Sequence, residues 1–190
     1  MQRWRRPAPS ASATRSLADM ARVATPSSIR VCRADYADPV HADALVSLLD
    51  AYARDPMGGG KSLSDFARTH LVAALAQRSQ AFSVLAFDEA CGDLAVGLAN
   101  CLEGFSTFAC RALVNVHDIA VLPGYRGQRI GEKMLALVED IARERGACKL
   151  TLEVLAGNAG AIKLYGRVGF ASYELDPAMG QARFLQKWLD

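Results

Sequence analysis

Hydrophobic positions along the chain switch between the spacing of a strand and that of a helix, and each switch marks an element boundary. A short strand is predicted over residues 29–32, then a helix over 40–52, where Leu45, Leu48, Leu49 and Tyr52 recur at helical spacing. The run Asp55-Pro56-Met57-Gly58-Gly59-Gly60 breaks that helix. After Ser62 a second helical stretch extends to about residue 77, with Phe66, Leu71, Ala74 and Leu75 as its apolar positions. Apolar-rich segments at 82–87, 94–102 and 113–122 read as consecutive strands, the first two a hairpin, separated by turn-forming residues 88–93 and a loop around Gly104.

The best-defined helix follows: Ile130, Met134, Leu137, Val138 and Ile141 share one face, and Gly146 supplies the stop. Residues 149–155 read as a strand. Asn158 caps a short helix whose Ala161, Tyr165 and Val168 lie on one side, with Gly169 ending it. A last pair of strands is expected at 170–174 and 183–188. The order strand, two helices, three strands, helix, strand, helix, two strands predicts an α/β fold, a mixed sheet with helices on both faces.

A length of 190 residues fits one catalytic-sized domain, expected over 28–190. Residues 1–27 lack periodicity and are rich in Arg, Ser, Ala and Pro, so a disordered leader is expected there. Its Arg-rich, acid-poor composition also resembles a transit peptide, and Met20 offers an alternative start. The net charge of +2 is concentrated in that leader: beyond residue 27 there are 17 basic against 19 acidic residues. A folded part with that balance carries no electrostatic footprint for nucleic acid, and no apolar run approaches the roughly 20 residues that cross a bilayer. The five cysteines are scattered, with no Cys-x-x-Cys pair and no His at metal-ligand spacing. They read as reduced core residues of an intracellular, cytoplasmic protein without a metal.

The chemistry concentrates in VHDIAVLPGYRGQRIGE, residues 116–132, a strand that turns through Pro123-Gly124 directly into a helix. A glycine-rich turn at a helix start leaves N–H groups unpaired at the positive end of the helix dipole, a place for phosphate. Gly127 and Gly131 permit close approach, and Arg126 and Arg129 add charge suited to a pyrophosphate. The Gly-Lys-Ser/Thr ending of a Walker loop and the Gly-x-Gly-x-x-Gly spacing of a dinucleotide fingerprint are both absent.

Tyr125-Arg126-Gly127-Gln128-Arg129-Ile130-Gly131 after the VHDIAV strand, followed by Asn158-x-x-Ala161-x-x-Leu164-Tyr165-x-x-x-Gly169-Phe170, resembles the acyl-CoA-binding core of the GNAT superfamily of N-acetyltransferases. The resemblance covers residues 29–188 and is strongest over 115–170. It departs at Arg129, where the family usually has Gly. A backbone with positive φ there would strain an Arg; a helical backbone would not, and the intact neighbours favour the helical alternative.

The resemblance implies a mostly antiparallel sheet with a splayed parallel strand pair, and acetyl-CoA as cosubstrate. The pantetheine arm would lie against backbone groups of Ile119, Ala120 and Val121, the diphosphate against the segment Arg126, Gly127, Gln128, Arg129, Ile130, Gly131 and Glu132, with Asn158 helping to hold the arm. Direct attack of an amine on a thioester needs a base, an oxyanion donor and an acid. Tyr165 matches the family's acid, and backbone N–H near Val121 its oxyanion donor. For the base, strand alternation puts Asp118 and His117 on opposite faces; Asp118 ranks first, His117 second and Glu153 third. A cationic small-molecule amine would meet Tyr52, Asp55 and Glu103. A homodimer is a further expectation of the resemblance. The alternative readings are a non-catalytic acyl-CoA-binding or regulatory module on the same fold, or an acyltransferase with another acyl donor or acceptor.

Overall fold

The computed structural model describes residues 28–173, 178 and 184–189. Within them the order is β1 (Ile29–Arg33), α1 (Pro39–Arg54), α2 (Asp65–Ala76), β2 (Ala81–Asp88), β3 (Leu94–Ser106), β4 (Arg111–Val121), α3 (Ile130–Glu144), β5 (Leu150–Leu152) and α4 (Ala159–Arg167). The strands form one sheet in sequence order, antiparallel at every junction but the last, where β4 and β5 run parallel. This is the mixed, mostly antiparallel sheet that the order of elements and the resemblance led us to expect.

Strand alternation divides the core into two layers. Val84, Ala86, Val114 and Val116 face one side and pack with Ile130, Met134, Val138 and Ile141 of α3 and Tyr165 of α4. Leu85, Phe87 and Leu98 face the other and pack with Ala44, Leu45 and Leu48 of α1. Every residue of β2 is buried, since both of its faces are covered. The periodicity that predicted α3 is the face it buries: Ile130, Met134 and Val138 are at most 1% exposed, and burying side chains of that size contributes roughly 1.5–3 kcal/mol each.

The structure fixes the start of α2 and corrects two expectations, on the cysteines and on the final strands. The N-cap of α2 is Ser64, whose hydroxyl accepts from Ala67 N–H at 3.1 Å; Ser62 instead donates to the buried Asp50 at 2.7 Å, where Arg54 and Arg68 also converge. A carboxylate turned inward needs donors, and Ser62 is placed to supply one. Of the five cysteines only Cys101 is buried; Cys91 and Cys110 are exposed and Cys32 and Cys148 half-buried, and all five are free thiols. Residues 170–173 and 184–188, within the expected final strands, form no strand, and all of them but the half-buried Phe170 are exposed; residues 174 and 183 and the 1–27 leader lie outside the described residues.

Candidate active site

The site begins where β4 parts from β5. Their pairing covers only Val114↔Leu150 to Val116↔Leu152. On the other edge, Asn100 pairs with Asp118 while the next residue of β3, Cys101, pairs with Val116, so His117 is an extra residue, a β-bulge. The bulge changes the phase of the strand. Before it, Val114 N–H donates toward β5, to Lys149 O at 3.1 Å; after it, Leu122 N–H donates toward β3, to Val96 O at 2.9 Å. Alternation then turns the N–H and C=O groups of Ile119 and Val121 away from β3, onto an edge that β5 no longer covers. A cleft of about 730 Å³ opens there, and Ile119, Ala120 and Val121 all line it.

At the end of β4 a short 3₁₀ turn, Pro123–Tyr125, leads to α3. No side chain caps α3, and among the described residues none of the N–H groups from Gly127 to Glu132 has a protein hydrogen-bond partner. Gly127, Arg129, Ile130, Gly131 and Glu132 line the cleft at this point. Gln128 does not: its side chain reaches back to Gly124 O at 3.4 Å and ties the loop to itself. Gly127 takes φ +80°, a conformation glycine adopts freely. Gly131 has another reason: a Cβ there would come within 2.8 Å of Leu164 Cδ2, so it is the contact that seats α4 against α3. Arg129 overturns the expectation of a helical backbone, because it sits at φ +59°, ψ +19°, in the left-handed region. A left-handed non-glycine residue costs roughly 1–2 kcal/mol.

Charge in the cleft is partly spent on internal pairs. Arg126 donates through Nε to Val121 O at 3.0 Å and through Nη2 to Asp55 Oδ2 at 2.7 Å. That guanidinium holds the Asp55 carboxyl below the usual carboxylate range, so Asp55 is a partner of the cofactor-side arginine as well as a lining residue. Glu132 accepts from Arg167 at 2.8 Å, joining α3 to α4. Arg129 and Lys163 also line the cleft and have no ion-pair partner among the described residues, which leaves two free cations beside the bare amides. Lys163 and Arg167 were not singled out from the sequence. The one available signal was that Lys163 and Arg167 are spaced to share a face of the Asn158-capped helix.

At the inner end, Tyr165 is buried and its phenol is pushed up to about 12, chiefly by loss of solvent and then by the neighbouring Tyr52. Its ring stands edge-on to Phe170 at 5.8 Å. Tyr52 lines the same cleft; burial first, then the charges of Asp118 and Asp55, raise its pKa. Asn158 accepts from Ala161 N–H at 3.1 Å as the cap of α4 and lines the cleft as well. Asp118 is half-buried behind the lining and accepts from Asn100 Nδ2 at 3.1 Å, while His117 is exposed. The bulge interrupts the alternation that set these two on opposite faces. Glu103 is not brought to the cleft; it pairs with Arg145 at 3.1 Å. Glu153 accepts from Asn115 Nδ2 at 3.2 Å. Among the described residues no group of His, Cys, Asp and Glu is arranged to hold a metal.

The arrangement thus offers bare amides and free cations for a polyanion, an unpaired strand edge, and a neutral phenol at the far end. Residues 45–170 match the model of the Acetyltransferase (GNAT) family. Streptothricin acetyltransferase of Streptomyces lavendulae is 44% identical over 91 residues, covering 46% of this chain and 48% of that protein. Thialysine N-epsilon-acetyltransferase of Mus musculus is 38% identical over 81 residues, covering 43% and 47%. The chain spans about half the length of these curated relatives. In fold it is similar to the crystal structure of a probable acetyltransferase, with TM-score 0.70 and 22% identity over 85% of this chain and 99% of the other. It is also similar to AAC(6')-Iy in complex with the bisubstrate analog CoA-S-monomethyl-acetylneamine, with TM-score 0.66 and 16% identity over 84% and 98%.

Proposed function

This chain belongs to the acetyltransferase (GNAT) family, and from that premise we propose that it transfers the acetyl group of acetyl-CoA directly to a primary amine of a small molecule. The observation that carries the reading is the run of unpartnered N–H groups from Gly127 to Glu132 opening onto the cleft that ends at Tyr165. Amides at a helix start, with Arg129 and Lys163 beside them, suit a diphosphate. The free edge at Ile119 and the N–H of Val121, whose carbonyl already accepts from Arg126, suit an extended amide-bearing arm, held as an added strand.

Acetyl-CoA supplies the activated acetyl group as a thioester; the remaining tasks fall to the chain. Val121 N–H, turned toward the cleft, donates to the carbonyl oxygen as negative charge develops on it. Tyr165, a neutral phenol at neutral pH, gives its proton to the departing sulfur. The acceptor must lose its ammonium proton before attack. Asp118, behind Tyr52, takes it through Tyr52 or water. As the carbon–nitrogen bond forms and the carbon–sulfur bond breaks, the amide nitrogen releases its second proton to solvent; solvent reprotonates Tyr165 and takes the proton from Asp118, so one proton is released overall.

The names of the relatives, with those of aminoglycoside acetyltransferases of like fold, give the first acceptors to try: streptothricin, thialysine and aminoglycosides. The test is thiol release from acetyl-CoA with that panel, compared between the parent and Tyr165→Phe. Turnover of an amine that falls in the variant is the expected result; acetyl-CoA binding without turnover of any amine would replace it with a binding module. No helix among the described residues is long and apolar enough to cross a membrane. The reading extends to a cytoplasmic homodimer, supported by five free thiols and by the exposed Phe105 and Phe108, and light scattering of the purified chain tests the assembly.

A further inference from the structure

Behind Asp118 a line of polar side chains crosses the sheet. Tyr36, just past β1, meets Ser83 of β2 at 2.9 Å; Ser83 meets Asn100 of β3 at 2.7 Å; Asn100 meets Asp118 of β4 at 3.1 Å. Register explains the line, because Ser83 pairs directly with Asn100 and Asn100 directly with Asp118. The bulge at His117 is what brings Asp118, and not Val116 or His117, opposite Asn100. Ser83 is fully buried and Asn100 is 7% exposed, in a layer that is otherwise Leu85, Phe87 and Leu98.

Each donor in the line has its direction fixed by the next group. An ionised carboxylate only accepts, so Asn100 must turn its amide N–H₂ to Asp118 and its carbonyl to Ser83. Ser83 then spends its single proton on that carbonyl, which obliges Tyr36 to donate to Ser83. Every hydrogen bond therefore points toward Asp118, and an amide in the middle bars the line from conducting protons. Buried polar groups in an apolar layer cost stability unless all are satisfied, and here each is.

We propose that Asn100, Ser83 and Tyr36 are positioning residues: a one-way donor chain that holds the Asp118 carboxylate in the orientation from which it serves the acceptor amine. This rests on the acetyltransferase reading, with Asp118 as base, and adds residues remote from the cleft that set how well that base works. None of the three lines the cleft, so a loss of rate on changing them passes through Asp118.

The test uses the full chain and two readouts. In ¹⁵N spectra the Asn100 side-chain N–H proton bound to Asp118 is expected at low field. Ser83→Ala is expected to move it and Asp118→Asn to abolish its shift. With an amine that turns over, Ser83→Ala is expected to lower kcat about tenfold and Tyr36→Phe about threefold, each with the KM for acetyl-CoA unchanged. Both losses should vanish in an Asp118→Asn background. Tyr36→Phe keeps the aromatic ring and is the variant to rely on should Ser83→Ala fail to fold. An Asn100 proton indifferent to Asp118→Asn, or rate losses that persist in the Asp118→Asn background, overturns the chain. A proton that moves as expected while Asp118→Asn alone leaves kcat intact upholds the chain and sinks the assignment of Asp118 as base.

Discussion

Helices α1, α2 and α4 begin on side chains that close their first turns: Asp38 accepts from Val40 N–H, Ser64 from Ala67 N–H and Asn158 from Ala161 N–H. Helix α3 begins on Arg129, in the left-handed region and without a cap. The difference does not follow need. Helix α2 has no fully buried residue and packs through the half-buried Leu71, Val72 and Leu75, whereas α3 buries Ile130, Met134, Leu135, Val138 and Ile141 among others. Packing holds α3 in place, and its first turn is left free to bind something else. A helix start that is uncapped although its face is well buried is the mark of a site.

The strongest way to break this contrast is to put a carboxylate at the open start. Gly127→Glu places a negative group where the diphosphate would meet the amides, and like charges brought together cost several kcal/mol. Affinity for CoA should fall on the order of 1,000-fold by calorimetry, the equivalent of about 4 kcal/mol. Gly127→Ala carries the same φ penalty without the charge and should lose far less. Equal losses in the two variants would assign the effect to strain and remove the phosphate from this turn.

At the other end of the cleft, Tyr165→Phe keeps the packing on Phe170 and removes the proton donor. A positioned acid contributes about 100-fold or more, so kcat should fall about 100-fold with the KM for acetyl-CoA little changed. The pKa near 12 adds a sign that can be checked. A phenol whose folded pKa is raised above the ordinary value of about 10 stabilises the fold fully below pH ~10 and loses that contribution as pH climbs to about 12. The parent should therefore lose stability more steeply than Tyr165→Phe across that window in denaturant titrations. Parallel curves would mean that the phenol is not desolvated.

Most of the frame behind this contrast was legible because it rests on local signals. The apolar spacing of Ile130, Met134, Val138 and Ile141 and the Asn158 cap depend on neighbours within a few residues, and both are found as read. What the sequence did not disclose depends on register or on distant partners. The extra residue at His117 has no signature in residue type, since a bulge is defined by the strand it pairs with. It decides which residues face the open edge and which carboxylate meets Asn100. The Arg126–Asp55 pair joins positions far apart in the chain. The engagement of Ser62 by the buried Asp50, which leaves Ser64 to cap α2, likewise depends on a partner outside the helix. Arg129 was open to two backbones, and its intact neighbours favoured the wrong one.

Capped starts give the matching control. Ser64→Ala removes the hydroxyl that closes α2 and should cost about 1 kcal/mol of stability while leaving the affinity for CoA unchanged. The same substitution logic has no counterpart on α3, where there is no cap to remove. A loss of CoA affinity in Ser64→Ala would show that α2 and the cofactor turn are coupled, and that the free start of α3 is not a separate device.

The smallest effect sharpens the comparison most, because it asks what the uncapped start costs and what its unusual residue returns. Arg129→Gly relieves a left-handed side chain, worth roughly 1–2 kcal/mol, and gives back roughly 0.5–1 kcal/mol in the entropy of a glycine. The variant should be more stable by about 0.5–1 kcal/mol in urea unfolding. It also removes one of the two unpaired cations beside the bare amides, leaving Lys163, and an exposed charge of this kind is worth under about 1 kcal/mol to a bound anion. CoA affinity should fall about threefold, and the fall should shrink as salt is added. Opposite changes in stability and affinity identify Arg129 as a residue held in strain for its charge. A variant that gains stability and keeps full affinity would mean that the strain serves nothing at this turn, and that the amides alone carry the binding.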